Sequence, residues 1–296
     1  LHRYCPEHGI GFKQVGKLIV AVDEDQVPRL SDLKKTAAAN GLTELYLPDA
    51  AEVREMEPEL RFAAVLHSPT SAIIDAHDLM LAYLGEAEDH GAVLALNAPV
   101  TGGRISADGF ELAVGGKEAT RLNCRVCVNA AGNRATEVAA AIDGIPADTI
   151  PDCTLAKGSY FVLQGRQPFT RLIYPLPFEY EAAVHVSPDM AGQLRFGPDT
   201  EFVDKIDYTV DPARVEFFYS AARRFWPGLR DGDLAPGYAG IRPKLSKGRA
   251  YENDFLVQGA DIHGVPGLIN LYGIESPGLT ASMAIGEYVE QLARDR

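Results

Sequence analysis

Apolar and polar positions along this chain fall into two textures, one of alternating strands and helices and one rich in aromatic strands. Residues 13–22 (KQVGKLIVAV) read as a strand, edged by Gly16 and ended by Asp23. Residues 27–40 predict a helix with Leu30, Leu33 and Ala37 on one face and Gly41 as its stop. A second short helix is predicted over 49–56, capped by Asp49 and closed before Pro58. A short strand follows at 63–66. Asp75 then caps a longer helix over 77–90, with Leu79, Ala82, Tyr83 and Ala87 facing inward and Gly91 ending it.

Residues 92–96 predict the next strand. A hairpin pairs 103–106 with 109–114 through Asp108-Gly109. Residues 121–129 read as one strongly apolar strand that passes through Asn129-Ala130-Ala131-Gly132 into a helix over 135–142. These pieces predict an α/β unit around one sheet. Strand 267–272 and the amphipathic helix after it join that sheet from far along the chain. Between them, residues 151–238 carry strands at 158–163, 172–174, 182–186 and 193–196, read as one antiparallel sheet, and a helix over 212–225. The predicted class is α/β plus α+β, with the second domain inserted in the first. The predicted divisions are 1–67 and 151–244 for one domain and 68–150 and 245–296 for the other.

A length of 296 residues and an apolar fraction of 46% suit one large or two interleaved domains. The net charge of −13 argues against a nucleic-acid partner but leaves room for a small acidic substrate held by a few local cations. The pair Cys124 and Cys127 lies in an apolar run without a second such pair or a nearby histidine pair. It reads as two buried strand cysteines, not as a metal or redox site. The four cysteines suggest a reducing, cytoplasmic compartment. No transmembrane segment or signal peptide is visible. The chain opens on Leu1 and reads as a fragment or a processed chain.

Several stretches could carry chemistry. Residues 273–282 form a glycine-containing turn between strand and helix, where Gly278 permits close approach and the first helical N–H groups point at a guest. That turn fits a ligand site or a plain connection. The small residues Ala130, Ala131 and Gly132 stand where a strand's carboxyl end meets a helix, which suits ligand binding or close packing. Arg242, held between Gly240 and Pro243 in a rigid non-helical segment, is a carboxylate clamp or a surface arginine. Lys157 and His185 each have a bland reading, as a solvated lysine and a structural strand histidine. His77 with its cap Asp75, and Asp211-Pro212, read as structural helix starts.

Taken together, these pieces resemble the FAD-dependent oxidoreductases of the D-amino-acid-oxidase superfamily, in the L-2-hydroxyglutarate dehydrogenase/oxidase branch. The matching landmarks are GKLIVA (16–21), SPTSAIIDAHDLM (68–80), VCVNAAG (126–132), KGSYFVL (157–163), RLIYPLP (171–177), VHVS (184–187), FGPDT (196–200), GIRPK (240–244) and LINLYGIESPGLTAS (268–282). They run almost end to end in the family's order.

The resemblance implies a Rossmann-like, three-layer FAD/NAD(P)-binding domain interleaved with an antiparallel-sheet substrate domain that roofs the flavin. It implies FAD contacts at Val100, Ala130, Ala131, Gly132, Gly278, Leu279 and Thr280. It implies Arg242 on the substrate carboxylate, and Lys157, Tyr174 and His185 lining the pocket, with His185 the candidate base. The implied reaction moves hydride from the α-carbon of a 2-hydroxy acid to flavin, with oxygen, a quinone or a carrier protein as final acceptor. A peripheral association with the inner membrane is compatible with that acceptor. An amino-acid oxidase of the same fold and an inactive fragment unable to hold FAD are the alternatives.

Two departures from the family pattern stand out. The glycine-rich G-x-G-x-x-G unit is not in this sequence, since Gly9-Ile10-Gly11 lacks the third glycine, so the chain reads as beginning after it. Ala72, and Ala182-Ala183, replace residues usual in relatives, which leaves the substrate open.

Overall fold

The computed structural model describes residues 1–177, 184–245 and 254–294. The chain divides into two compact units. The first comprises residues 1–85, 157–201 and 207–240, and the second residues 86–156, 202–206 and 241–296.

In the first unit the predicted strand over 13–22 is two strands, Phe12–Gln14 and Lys17–Ala21. Gly16 separates them at φ +73°, and a Cβ there would stand 3.0 Å from His67 Nε2. The helix Val27–Ala39 and the helix Ala50–Met56 follow as predicted, and Asp49 Oδ1 accepts from Ala51 N at 2.8 Å and Glu52 N at 2.9 Å. Phe12–Gln14 pairs antiparallel with Ala72–Ile74. Asp75 caps the helix Ala76–Asp89 by accepting from His77 N and Asp78 N. Leu79 in that helix is buried with Cys5 and Ile10, which explains why residues up to 85 cluster with the N-terminal segment and not with the α/β unit. Ala87, expected inside, is exposed.

Most of an eight-stranded sheet belongs to this unit. Along its main path the order is Glu201–Val203, Cys153–Leu163, Leu194–Phe196, Val186–Pro188, Leu172–Pro175, Lys17–Ala21 and Ala64–Ser68, and Leu234–Leu245 pairs with Cys153–Leu163. The sheet is not purely antiparallel, because Leu172–Pro175 runs parallel to Lys17–Ala21. The strand expected over 182–186 is observed as Val186–Pro188, and Ala182 and Ala183 lie outside the described residues.

One sheet face packs on the helix Val215–Arg223 through Phe161, Ile173, Val186, Phe196, Phe218 and Tyr219. Each such buried aromatic or aliphatic side chain contributes roughly 1.5–3 kcal/mol. Tyr219 OH accepts from Gly232 N at 2.8 Å and Leu234 N at 3.1 Å, which fixes the entry into the long strand after the helix.

In the second unit the predicted single strand over 121–129 breaks at Arg125. Thr120–Cys124 joins Gly109–Val114, Val100–Ser106 and Ile142–Asp143 in one four-stranded sheet, while Cys127–Asn129 joins another. That second sheet has the order Leu256–Gln258, Leu268–Tyr272, Cys127–Asn129, so the hairpin and the late strand do not share one sheet as expected. Leu268–Tyr272 is parallel to Cys127–Asn129, with Asn270 opposite Asn129. Residues 92–96 form no strand, and Val93 is 88% exposed. The helix predicted over 135–142 is shorter, Ala135–Ala140, entered through a 3₁₀ turn at Gly132–Arg134. The final helix is Gly278–Arg294.

Candidate active site

In the first unit, alternation along strands places Tyr174 and His185 together on the sheet face opposite the aromatic core. Ile173 is paired with Val186 on the core face, so Tyr174 and His185, one residue beyond, turn the other way. Their rings stack at 3.9 Å between centroids and 8° between planes. Lys17 Nζ lies 4.6 Å from the Tyr174 ring centroid. The sheet order puts the Tyr174 strand between those of Lys17 and His185, so the tyrosine ring stands between the ammonium and the imidazole.

Burial, and secondly the nearby Lys17 charge, push the His185 imidazole down to about 4. Burial lowers Lys17 and raises Tyr174, the latter partly offset by a hydrogen bond with Ser187. The outcome is a neutral imidazole beside a cation. Glu57 sets the start of the Tyr174 strand from below. Its buried Oε1 accepts from Thr170 N at 3.0 Å, Thr170 Oγ1 at 2.9 Å and Arg171 N at 3.0 Å.

Lys157 is not brought together with this pair. It is buried in the middle of Cys153–Leu163, on the core face with Phe161, and its Nζ donates to the Thr209 carbonyl. It is therefore neither a solvated lysine nor a neighbour of His185.

In the second unit, Arg242 lies in the last third of the strand Leu234–Leu245 and is half-buried. The end of that strand is tied to the late turn. Lys244 Nζ pairs with Glu275 Oε1 at 2.5 Å, and a Cβ on Gly273, at φ +67°, would stand 2.8 Å from Leu245 Cγ. The turn's Gly278 N donates to the Glu275 carbonyl, and Gly278 is buried against Ile274. Among the described residues the N–H groups of Leu279 and Thr280 donate to no backbone carbonyl, as the first turn of a helix requires, and both residues are exposed. So the guanidinium-bearing strand and the helix start share one neighbourhood.

Beside the sheet, Asn129 Nδ2 donates to the Ala135 carbonyl at 2.8 Å and to Asn270 Oδ1 at 3.0 Å, which holds the exposed run Ala130, Ala131 and Gly132 at the carboxyl end of the parallel pair. Val100 opens the hairpin strand and is 39% exposed. Four surface recesses of this unit, lined for example by Asp108, Phe110 and Arg125, include no predicted site residue.

Sequence reasoning missed Lys17, Glu57, Asn270 and Glu275. Lys17 alone left a signal. It stands one residue before the apolar run 18–22, where strand alternation turns it away from Leu18 and Val20, both fully buried.

The family model described as FAD dependent oxidoreductase matches residues 1–292. The L-2-hydroxyglutarate dehydrogenase, mitochondrial, of Arabidopsis thaliana is 38% identical over 98% of this chain and 68% of its own length. The glycerol 3-phosphate dehydrogenase of Caloramator mitchellensis is 27% identical over 98% of this chain and 59% of its own length. The chain thus spans 68% and 59% of the lengths of these two curated relatives. Among solved structures, the FAD-bound L-alpha-glycerophosphate oxidase of Mycoplasma pneumoniae superposes with a TM-score of 0.80 at 23% identity, covering 96% of this chain and 74% of that one.

The residues present fit a flavin dinucleotide. Gly132, at φ +57°, has no atom within 4 Å of where a Cβ would sit, so a ligand can approach its backbone. Asn270 Nδ2 is a buried donor without a partner among the described residues, next to that strand end. The free amides of Leu279 and Thr280 offer a positive dipole end to an electron-rich ring edge.

Proposed function

Since this chain belongs to the FAD-dependent oxidoreductase family, we propose that it oxidises the α-carbon of a small 2-hydroxy acid resembling L-2-hydroxyglutarate. The observation that carries the substrate class is the 38% identity to the plant L-2-hydroxyglutarate dehydrogenase over 98% of the chain. Bound FAD supplies the hydride acceptor. Val100, Ala130, Ala131 and Gly132 hold the dinucleotide through backbone and small side chains, and Gly278, Leu279 and Thr280 present helix-start amides to it. Arg242 binds the substrate's C1 carboxylate through its guanidinium, and Lys244 paired to Glu275 keeps that strand end against the turn.

His185 accepts the hydroxyl proton at an imidazole nitrogen. Its depressed affinity for protons keeps it deprotonated at neutral pH, and Tyr174 fixes its ring plane by stacking. Lys157, bonded to the Thr209 carbonyl, supports the sheet and has no part in the pocket.

The electron acceptor is oxygen, a quinone or a carrier protein, and the enzyme works in the cytoplasm within reach of the inner membrane. Four free cysteines accord with a reducing compartment. Among the described residues no helix is long and apolar enough to cross a membrane.

The test is a substrate panel. Anaerobic bleaching of the flavin absorption band is expected with L-2-hydroxyglutarate and not with amino acids. Bleaching by an amino acid alone would instead assign the chain to the amino-acid oxidases of this fold.

A further inference from the structure

The half-buried arginines of the first unit are matched to acids, and the buried Lys157 donates to the Thr209 carbonyl. Arg171 pairs with Glu57 at 3.3 Å and Arg195 with Asp189 at 3.0 Å, and Arg214 is held by Asp199. Lys17 has no such partner. No carboxylate of the described residues lies within 4.0 Å of its Nζ, and its neighbours there are the rings of Tyr174 and His185. In a chain with 41 acidic and 28 basic side chains, a partly desolvated ammonium held apart from every described acid is an unfavourable placement. The ring face of Tyr174 compensates only part of the lost hydration. Burial accordingly weakens Lys17's hold on its proton. A carboxylate arriving with a ligand would complete the compensation.

We propose that Lys17 binds a second, distal carboxylate of the substrate, which makes the preferred acid a short dicarboxylate. The proposal rests on the 2-hydroxy-acid reading above, in which His185 faces the hydroxyl on the reacting carbon. Lys17 stands on the same sheet face as His185, one ring away from it, so a cation at that distance reads the far end of the molecule. An uncharged methyl end in that position would leave the ammonium desolvated and unpaired, which penalises monocarboxylates.

The experiment compares two unreactive five-carbon acids, glutarate and pentanoate, by calorimetric titration of the purified chain, its Lys17→Met variant and its Lys17→Arg variant. Neither acid has an α-hydroxyl, so only binding is read. The unmodified chain is expected to prefer glutarate by about tenfold or more, the range of one charge-assisted hydrogen bond. Lys17→Met is expected to bring that ratio to within about twofold, and Lys17→Arg, which keeps the charge, to retain most of it. The Arg variant controls for a structural role, because loss of packing would not be repaired by charge. A Lys17→Met protein that keeps the glutarate preference overturns the proposal, as does an unmodified chain that binds both acids alike or neither. Failure of the 2-hydroxy-acid reading is separately visible, as a flavin band that no 2-hydroxy acid bleaches.

Discussion

At the scale of single residues, the site depends on a few charges held out of water. Arg242→Ala removes the group assigned to the C1 carboxylate while leaving the strand's Lys244–Glu275 link in place. It should weaken substrate binding by on the order of a hundredfold, about 3 kcal/mol, without loss of flavin. Titration of flavin bleaching checks this, and an unaltered concentration dependence would remove Arg242 from the site.

His185 makes a pH prediction. Its ordinary value of 6.5 in the unfolded chain falls to about 4 in the folded one. Below pH 6.5 the unfolded chain therefore takes up a proton that the folded chain refuses. Stability is lost as pH drops from 6.5 toward 4, by on the order of 3 kcal/mol at the low end. Urea melts across that range should show a shallower decline for His185→Gln, and parallel declines would contradict the assignment. His185 and Arg242 were singled out by the sequence because each sits in an unusual local pattern, a histidine among valines and an arginine before a proline. Lys17 was not, since a lysine at a strand start looks solvated until the neighbouring strand supplies a tyrosine from 157 positions away.

At the scale of elements, two devices position the site. Glu57 gathers the amides and hydroxyl at the start of the Tyr174 strand from residues more than 110 positions away. Glu57→Ala leaves those buried donors and Arg171 unpaired and should cost about 3–5 kcal/mol, read by denaturant unfolding. A loss below about 1 kcal/mol would show the strand start to be held by packing alone. The second device is the bend after Leu268–Tyr272. Gly273→Ala meets both a left-handed backbone and the Leu245 side chain, so a loss of about 1–3 kcal/mol is expected. Helix positions and caps were legible because Asp49 and Asp75 act within three residues of themselves. The break at Arg125 was not. Residues 121–129 satisfy the apolar pattern of one strand, and only the partners, Gly109–Val114 on one side and Leu268–Tyr272 on the other, decide that it serves two sheets.

At the scale of the whole molecule, the change of texture near residue 151 pointed to two interleaved domains, and the contacts divide the chain into residues 1–85, 157–201 and 207–240 on one side and 86–156, 202–206 and 241–296 on the other. The pairing of Phe12–Gln14 with Ala72–Ile74 is a non-local fact that no composition shift announces. The second unit carries exposed apolar side chains at Leu96 (74%) and Val128 (43%), and Val128 lies on Cys127–Asn129, an edge strand of its sheet among the described residues. Such an edge favours self-association. Val128→Lys should lower light scattering at high protein concentration, and unchanged scattering would absolve this edge.

The central claim is that hydride leaves the α-carbon of a 2-hydroxy acid for FAD. Its most direct test is the anaerobic rate of flavin bleaching by L-2-hydroxyglutarate carrying protium or deuterium at C2. The account predicts bleaching that is slower with deuterium, and a flavin band left unchanged by the acid would contradict it.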